Sequence, residues 1–163
     1  MRKSWLAALA IAGLSSPVLA ADPKGDWLVA EKTAVVRIAA CGDALCGSIA
    51  WTKGPPGTDK NNPDPAKRSR SVIGMGILQN MKPARGNRWE GEIYNAQDGK
   101  TYSGSIALSG ENMLRIEGCV LGFLCGGQDW TRAKCEEAPP TTTGGRVPPT
   151  PMPPRLSCRA AAP

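Results

Sequence analysis

The stretch QDGKTYSGSIALSGENMLRIE, residues 97–117, decides the fold class. Within Thr101–Leu108 the larger apolar side chains stand at 102, 106 and 108, whereas the opposite face is small and polar. This period of two is typical of a β-strand with one buried face. The flanking segments Gln97–Lys100 and Ser109–Asn112 are rich in turn residues, so neighbouring strands can pair as hairpins. The stretch therefore predicts an antiparallel meander.

The same pattern recurs from Asp22 to Lys134, where short runs with β character alternate with turn residues. We find no convincing helical periodicity longer than two turns there. A closed barrel removes the two edges that an open sheet would have to protect. The sequence therefore predicts an all-β, eight-stranded antiparallel up-and-down barrel. The predicted strands are Asp26–Ala30, Thr33–Ala39, Cys46–Thr52, Val72–Leu78, Trp89–Tyr94, Thr101–Leu108, Met113–Glu117 and Gln128–Arg132.

The first twenty residues have the pattern of a signal peptide. Arg2 and Lys3 precede an apolar run over residues 5–14, and the small-residue exit at 18–20 predicts cleavage after Ala20. An uncleaved helical anchor is the alternative. No other segment approaches the roughly 20 apolar residues of a transmembrane helix. We therefore expect an exported periplasmic protein that does not span the membrane.

Three regions follow: a signal peptide at 1–20, a barrel domain at 22–134 and a tail at 135–163. The tail contains Pro-Pro, Gly-Gly and Thr-Thr-Thr and has few apolar residues, so we expect it to be extended or disordered. Without Arg2 and Lys3 the chain has 18 basic and 14 acidic residues. This mild excess does not indicate nucleic-acid binding.

All six cysteines follow the signal peptide, and an even number in a small exported domain favours disulfides. Cys41 with Cys46, and Cys119 with Cys125, flank short loops and are predicted to form local bridges. Cys135 and Cys158 bracket the tail and form a third candidate pair. Six cysteines allow 15 pairings, so the connectivity stays open. Zinc and redox sites are the alternatives, but the chain has no histidine and neither local pair is Cys-x-x-Cys. We expect no metal and no cofactor.

Gly25-Asp26-Trp27 and Trp130-Thr131-Arg132 resemble the closing signature of the lipocalin superfamily. In that signature a tryptophan on the first strand packs across the barrel floor against an arginine on the last strand. Such a cation–π contact can seal an apolar floor while the guanidinium donates to backbone carbonyls. The resemblance implies a structural role in barrel closure for Gly25, Trp27, Trp130 and Arg132, with ligand contact as the alternative.

Five separated blocks together resemble the domain of unknown function 2147 family, whose members are exported bacterial proteins similar to lipocalins. The resemblance covers roughly Asp22 to Lys134 and implies the fold, but no activity. The Pro-rich tail departs from the family pattern. The blocks are Asp22-Pro23-x-Gly25-x-Trp27, Cys41-Gly42…Leu45-Cys46-Gly47, Asp59…Asn62-Pro63-Asp64, Gly91-x-Ile93-Tyr94…Asp98-Gly99-Lys100-Thr101-Tyr102 and Trp130-Thr131-Arg132.

The longest connection of the predicted barrel, residues 53–70, carries four oxygen-bearing side chains at Asp59, Asn61, Asn62 and Asp64. They suit either an ion site or a self-hydrogen-bonded cap over one barrel mouth, and Pro63 and Pro65 favour the cap.

Six basic residues without an acidic one lie between Lys67 and Arg88, and folding could gather them at one rim as a ligand-binding patch. Ordinary surface charge on two solvated loops is the alternative. An envelope offers lipid phosphates and other anionic amphiphiles as partners. The six are Lys67, Arg68, Arg70, Lys82, Arg85 and Arg88.

Catalysis has little support, because the chain lacks the usual histidine base. Glu90 and Glu92 share one strand face, which indicates an outward polar face rather than an acid/base pair. The leading hypothesis is a periplasmic binding or envelope-accessory module, not an enzyme, that holds an amphiphilic or anionic ligand in or at the barrel mouth. The alternative is a ligand-free scaffold whose tail reaches an envelope protein, and a carboxylate-based enzyme ranks last.

Overall fold

The computed structural model describes residues 22–121, 123–137 and 156–160. The predicted signal peptide lies outside these residues, as do residues 138–155 and 161–163 of the predicted tail. Nine strands are present in the described part: β1 Gly25–Leu28, β2 Ala34–Cys41, β3 Ala44–Thr52, β4 Gly76–Ala84, β5 Arg88–Asn95, β6 Lys100–Leu108, β7 Met113–Val120, β8 Leu124–Glu137 and β9 Leu156–Ala160.

The first eight strands form a closed antiparallel barrel. Each pairs with the next along the chain, and β1 also pairs with β8 through Trp27 opposite Arg132 and Leu28 opposite Thr131. The predicted eight-stranded up-and-down barrel is therefore confirmed. One end of the barrel carries the β1–β2, β3–β4, β5–β6 and β7–β8 connections, and we call this end the mouth. We call the opposite end the floor. Among the described residues, no helix is long and apolar enough to cross a membrane.

The floor half of the barrel is packed with apolar side chains. Alternate residues of each strand face inward, and the inward set includes Trp27, Ile106, Leu114 and Trp130, all of which are buried. The indole and leucine side chains come from the neighbouring strands β1, β7 and β8, and Leu114 pairs directly with Trp130. This half of the interior is a core and leaves no room for a ligand.

Arg132 seals the floor as the resemblance implied. Its guanidinium carbon lies 4.3 Å from the centroid of the Trp27 ring. Its three nitrogens donate to the carbonyls of Asp22, Lys24 and Glu111 at 2.8–3.0 Å. Gly25 is required beside it, because a Cβ there would stand 2.9 Å from Arg132 Nη1 and φ is +122°.

A second apolar cluster covers the outside of the barrel. Leu28 and Val35 point outward, next to the inward Trp27 and Val36, and pack with Ala133. Cys158 of β9 and Cys135 of β8 lie against this cluster. The expectation of a structureless tail beginning at residue 135 was therefore wrong for two segments. β8 continues to Glu137, and β9 pairs with that extension because both strands help to cover apolar surface.

The structure has both predicted local disulfides, and it joins Cys135 to Cys158, the pair that the sequence left open. Cys41–Cys46 closes the β2–β3 hairpin at the floor, and Cys119–Cys125 closes the β7–β8 hairpin at the mouth. Cys135–Cys158 joins the β8 extension to β9.

The β3–β4 connection, residues 53–75, packs against the outside of the barrel. Asp59 and Asn62 reach Tyr94, whose side chain points outward from β5. Asn61 donates to the carbonyls of Ala96 and Gln97 in the β5–β6 turn. The connection is self-hydrogen-bonded, as one of the two interpretations expected. The expected position as a cap across the mouth was wrong. The connection borders the mouth rim through Lys53 and Asn61 but packs against the outer wall, and none of its residues lines the interior of the barrel.

Candidate functional site

The mouth half of the barrel contains a cavity of about 510 Å³ that is open to solvent. Its volume lies within the range of small-molecule sites. Its wall is mixed: aliphatic side chains come from β5, β7 and β8, and polar side chains and glycines supply the rest. The lining residues are Glu31, Ile93, Asn95, Gln97, Tyr102, Ile116, Gly118, Val120, Leu124, Gly126, Gly127 and Gln128.

Inward-facing glycines make this space. Gly118 on β7 pairs with Gly126 on β8, so two adjacent positions of the wall lack side chains. A Cβ at Gly126 would meet nothing within 4 Å, and one at Gly118 would lie 3.7 Å from Tyr102 Cβ. Glycine weakens a strand interior, and such positions often mark a close approach by another molecule. The cavity therefore exists because Gly118 and Gly126 lack side chains at positions where a larger residue would fit.

Two buried polar atoms at the inner end of the cavity lack partners. Gln128 Oε1 and Trp130 Nε1 are inaccessible and make no hydrogen bond within the described part of the chain. Gln128 lines the cavity, and Trp130 is the next inward-facing residue of β8 toward the floor. A buried donor or acceptor without a partner is unfavourable by about 1–3 kcal/mol. A molecule bound in the cavity could supply a donor to Gln128, whereas Trp130 does not line the cavity.

Polar groups surround the outer end of the cavity. Asn95 and Gln97 come from the β5–β6 hairpin and Glu31 from the β1–β2 connection. Tyr102 donates its hydroxyl hydrogen to Asp98, and this hydrogen bond, together with burial, raises the pKa of Tyr102. The tyrosine is therefore a neutral, fixed wall residue. The cavity combines an apolar middle with hydrogen-bonding groups at both ends.

One side of the wall is open beside the cavity. β1 pairs with β8 only through Trp27 and Leu28, according to the pairings among the described residues. The part of β8 from Leu124 to Gly127, nearer the mouth, pairs with β7 alone and is exposed. This gap gives a ligand a route into the cavity that needs no opening of the barrel.

Asp59 is the fully buried carboxylate of the described part. It accepts hydrogen bonds from Tyr94 Oη at 2.6 Å, Asn62 Nδ2 at 2.7 Å and Arg70 Nη2 at 2.9 Å. Burial by itself would raise the pKa of Asp59, but these three donors outweigh it, and the pKa lies below 3.8. Burial and the hydrogen bond to Asp59 raise the pKa of Tyr94. The network fixes the β3–β4 connection to β5 and leaves little of the carboxylate free to bind an ion.

The six basic residues predicted as a ligand patch are not gathered at one rim. Lys67, Arg68 and Arg70 lie in the β3–β4 connection, whereas Lys82, Arg85 and Arg88 lie around the β4–β5 hairpin at the floor end. The expectation was wrong because β4 carries the chain from one end of the barrel to the other between the two groups. None of the six lines the cavity. Four of them pair with carboxylates: Arg70 with Asp59, Lys67 with Asp64, Lys82 with Asp43, and Arg88 with Glu90 and Glu117.

Glu90 and Glu92 face outward on β5, as predicted, opposite Lys82 and Gln79 of β4. Sequence reasoning missed the cavity residues Ile93, Gly118, Gly126 and Gln128. The predicted strands stopped at Glu117 and began again at Gln128, whereas β7 runs to Val120 and β8 starts at Leu124. Gly118 and Gly126 therefore lay outside the predicted strands, and glycine within a strand is the signal that longer bounds would have shown.

The comparisons agree with this architecture. Residues 25–132 match the family described as "Uncharacterized protein conserved in bacteria (DUF2147)". The chain belongs to this family. The match begins at Gly25 and ends at Arg132, so it spans the barrel from one floor-sealing residue to the other.

One solved structure is similar to this chain over most of the barrel. It is protein HP1028 from the human pathogen Helicobacter pylori, which is described as belonging to the lipocalin family. The TM-score is 0.64 at 22% identity, and the alignment covers 69% of this chain and 83% of that chain. At this identity the likeness shows the fold. Among curated proteins, no significant match to this chain is found.

Proposed function

We propose that this protein is an exported, periplasmic binding module that holds one small amphiphilic ligand in the mouth half of its barrel. The lipocalin-like fold suggests the binding of small molecules. The observation that carries the proposal is the cavity itself, whose wall combines aliphatic side chains with polar ones and includes Gln128 with its unpartnered Oε1.

The chemistry of the cavity narrows the ligand class. Ile93, Ile116 and Val120 offer apolar contact. Gln128 lines the cavity, and its unpartnered Oε1 would accept a hydrogen bond from a donor on the ligand. We therefore propose a compact amphiphile with a hydrogen-bond donor, such as a hydroxyl group, at its buried end. Its outer end meets the polar side chains of Asn95 and Gln97.

Export is supported by the three disulfides, which persist in oxidising compartments, and by the basic and apolar pattern of the first twenty residues. The tail hypothesis, in which residues 135–163 reach an envelope protein, is an independent proposal. Deleting residues 138–155 while keeping β9 would test it through the recovery of partner proteins.

Native mass spectrometry of the protein purified from its own periplasm without detergent tests ligand binding. We expect an extra mass that denaturation releases as a lipid or another amphiphile. Gly126→Leu places a side chain into open space inside the cavity and should abolish the extra mass. Ser103→Leu adds the same side chain to the outward face of β6 and should retain it. A bare mass for the unmodified protein, with no uptake of added envelope lipids, would contradict the proposal.

A further inference from the structure

Four large apolar side chains are exposed together at the tip of the β7–β8 hairpin. They are Val120, Leu121, Phe123 and Leu124, and Leu121 and Phe123 are 79% and 71% exposed. Among the described residues, the other exposed large hydrophobic side chains are Met113, at the floor end of β7, and Ile73, in the β3–β4 connection. Isolated exposed apolar residues are ordinary, but a contiguous group marks an interaction surface.

The conformation of this apolar tip is unfavourable for an ordinary surface turn. Leu121 has φ +54°, in the left-handed region where glycine and asparagine are favoured. Its side chain also gains little packing, since most of it is exposed. The Cys119–Cys125 disulfide closes the hairpin directly behind the tip. Neither the backbone conformation nor packing in the core favours leucine at position 121. Contact with a partner molecule would account for it.

The charge around the mouth indicates the chemistry of that partner. The four mouth connections and the first residue of β6 together contain seven basic and four acidic residues. One of the acids, Asp59, is fully buried and bonded to Arg70. Lys32, Lys53, Lys60 and Lys100 have no carboxylate within 4 Å among the described residues. The apolar tip thus stands at a positively charged end of the molecule.

We propose that the mouth docks onto a lipid bilayer that carries anionic headgroups. The tip inserts Leu121 and Phe123 at the boundary between headgroups and acyl chains, while the mouth lysines contact lipid phosphates. Val120 and Leu124 belong both to the tip and to the cavity wall, so docking turns the entrance of the cavity toward the lipid. This inference goes beyond ligand binding and does not require the cavity to be filled.

Co-sedimentation of the full exported chain with vesicles tests docking. We expect binding to vesicles of phosphatidylethanolamine with phosphatidylglycerol, weaker binding at high salt, and much weaker binding to phosphatidylcholine vesicles. Phe123→Ser should weaken binding about tenfold, because most of a large side chain no longer leaves water. Lys32→Gln should weaken it about fivefold. The matched controls are Met113→Ser and Arg85→Gln, which make the same kinds of change at the floor end and should bind as the unmodified chain does.

Leu121→Asn separates docking from folding. Asparagine suits the left-handed backbone, so the melting temperature should stay the same or rise, while vesicle binding falls about tenfold. Failure of the unmodified chain to bind anionic vesicles would overturn docking. So would tip variants that bind normally, or a dimer that the tip variants abolish, since a second copy would then be the occupant. Gly126→Leu should still bind vesicles, so loss of ligand and loss of docking are distinguishable.

Discussion

At the scale of single residues, Asp59 shows how a buried charge holds a long connection in place. Its side chain is fully buried, and all of its polar contacts come from Tyr94, Asn62 and Arg70. Since the pKa of Asp59 is lowered in the folded protein, its ionisation stabilises the fold above the unfolded pKa of about 3.9. That contribution is lost as the pH falls through the lower folded pKa.

We predict that Asp59→Asn lowers the free energy of unfolding by about 2 kcal/mol at pH 7, because a charged acceptor of three donors is replaced by an amide. The difference from the unmodified chain should shrink below about pH 4, where the unmodified chain loses its own advantage. Urea denaturation at the two pH values measures both effects. Asp43→Asn is the control, because this exposed carboxylate forms a loose pair with Lys82 and should contribute little. An equal loss at low and neutral pH would contradict the role of ionisation.

The residue scale also shows what the sequence could and could not indicate. Trp27 and Arg132 were predictable because each stands in a short signature whose role is fixed by the closure of the barrel. The cavity was not predictable. Its walls depend on the strand register that places Gly118 opposite Gly126, and on the end of β1 at Leu28. Those are properties of pairing between distant segments, which no local pattern contains.

At the scale of elements, β9 shows the same dependence on distant partners. Leu156–Ala160 is short and preceded by prolines, and nothing local distinguishes it from the rest of the predicted tail. It is a strand because β8 extends beyond the barrel and offers a pairing edge, and because the outer cluster at Leu28 and Val35 needs cover. The cysteines were the available signal, since they predicted that the two segments meet.

We predict that the double variant Cys135→Ser with Cys158→Ser is less stable by about 3 kcal/mol, because the loop that this bridge closes is long. The outer side chains of Leu28 and Val35 should become more exposed to solvent, while the inward-facing core keeps its packing. Chemical denaturation gives the loss of stability, and near-ultraviolet circular dichroism of the core tryptophans reports on the barrel. The Cys41–Cys46 bridge closes a shorter loop, so the double variant Cys41→Ser with Cys46→Ser should lower stability less. The opposite order would contradict a stapling role for β9.

At the scale of the whole molecule, the barrel is divided into a packed floor half and a hollow mouth half. In the floor half Trp27, Trp130 and Leu114 belong to one buried core cluster, and Arg132 packs on Trp27 and seals it. The mouth half has glycine positions, a cavity and a stretch of β8 that lacks a neighbour on one side. In the proposed binding role this arrangement separates stability from function, because the floor half holds the fold while the mouth half stays open.

This division predicts uneven hydrogen exchange along single strands. Amides of the floor half, such as Leu114 on β7 and Trp130 on β8, should exchange only by global unfolding. Amides near Gly118 and Gly126 on the same strands should exchange faster through local opening, because few apolar contacts resist it. Gly126→Leu should slow exchange around the mouth about tenfold by adding apolar contact inside the cavity, and leave the floor unchanged. Equal protection in both halves of β7 and β8 would instead indicate one uniformly packed barrel, in which the cavity is too small or too transient to hold a ligand.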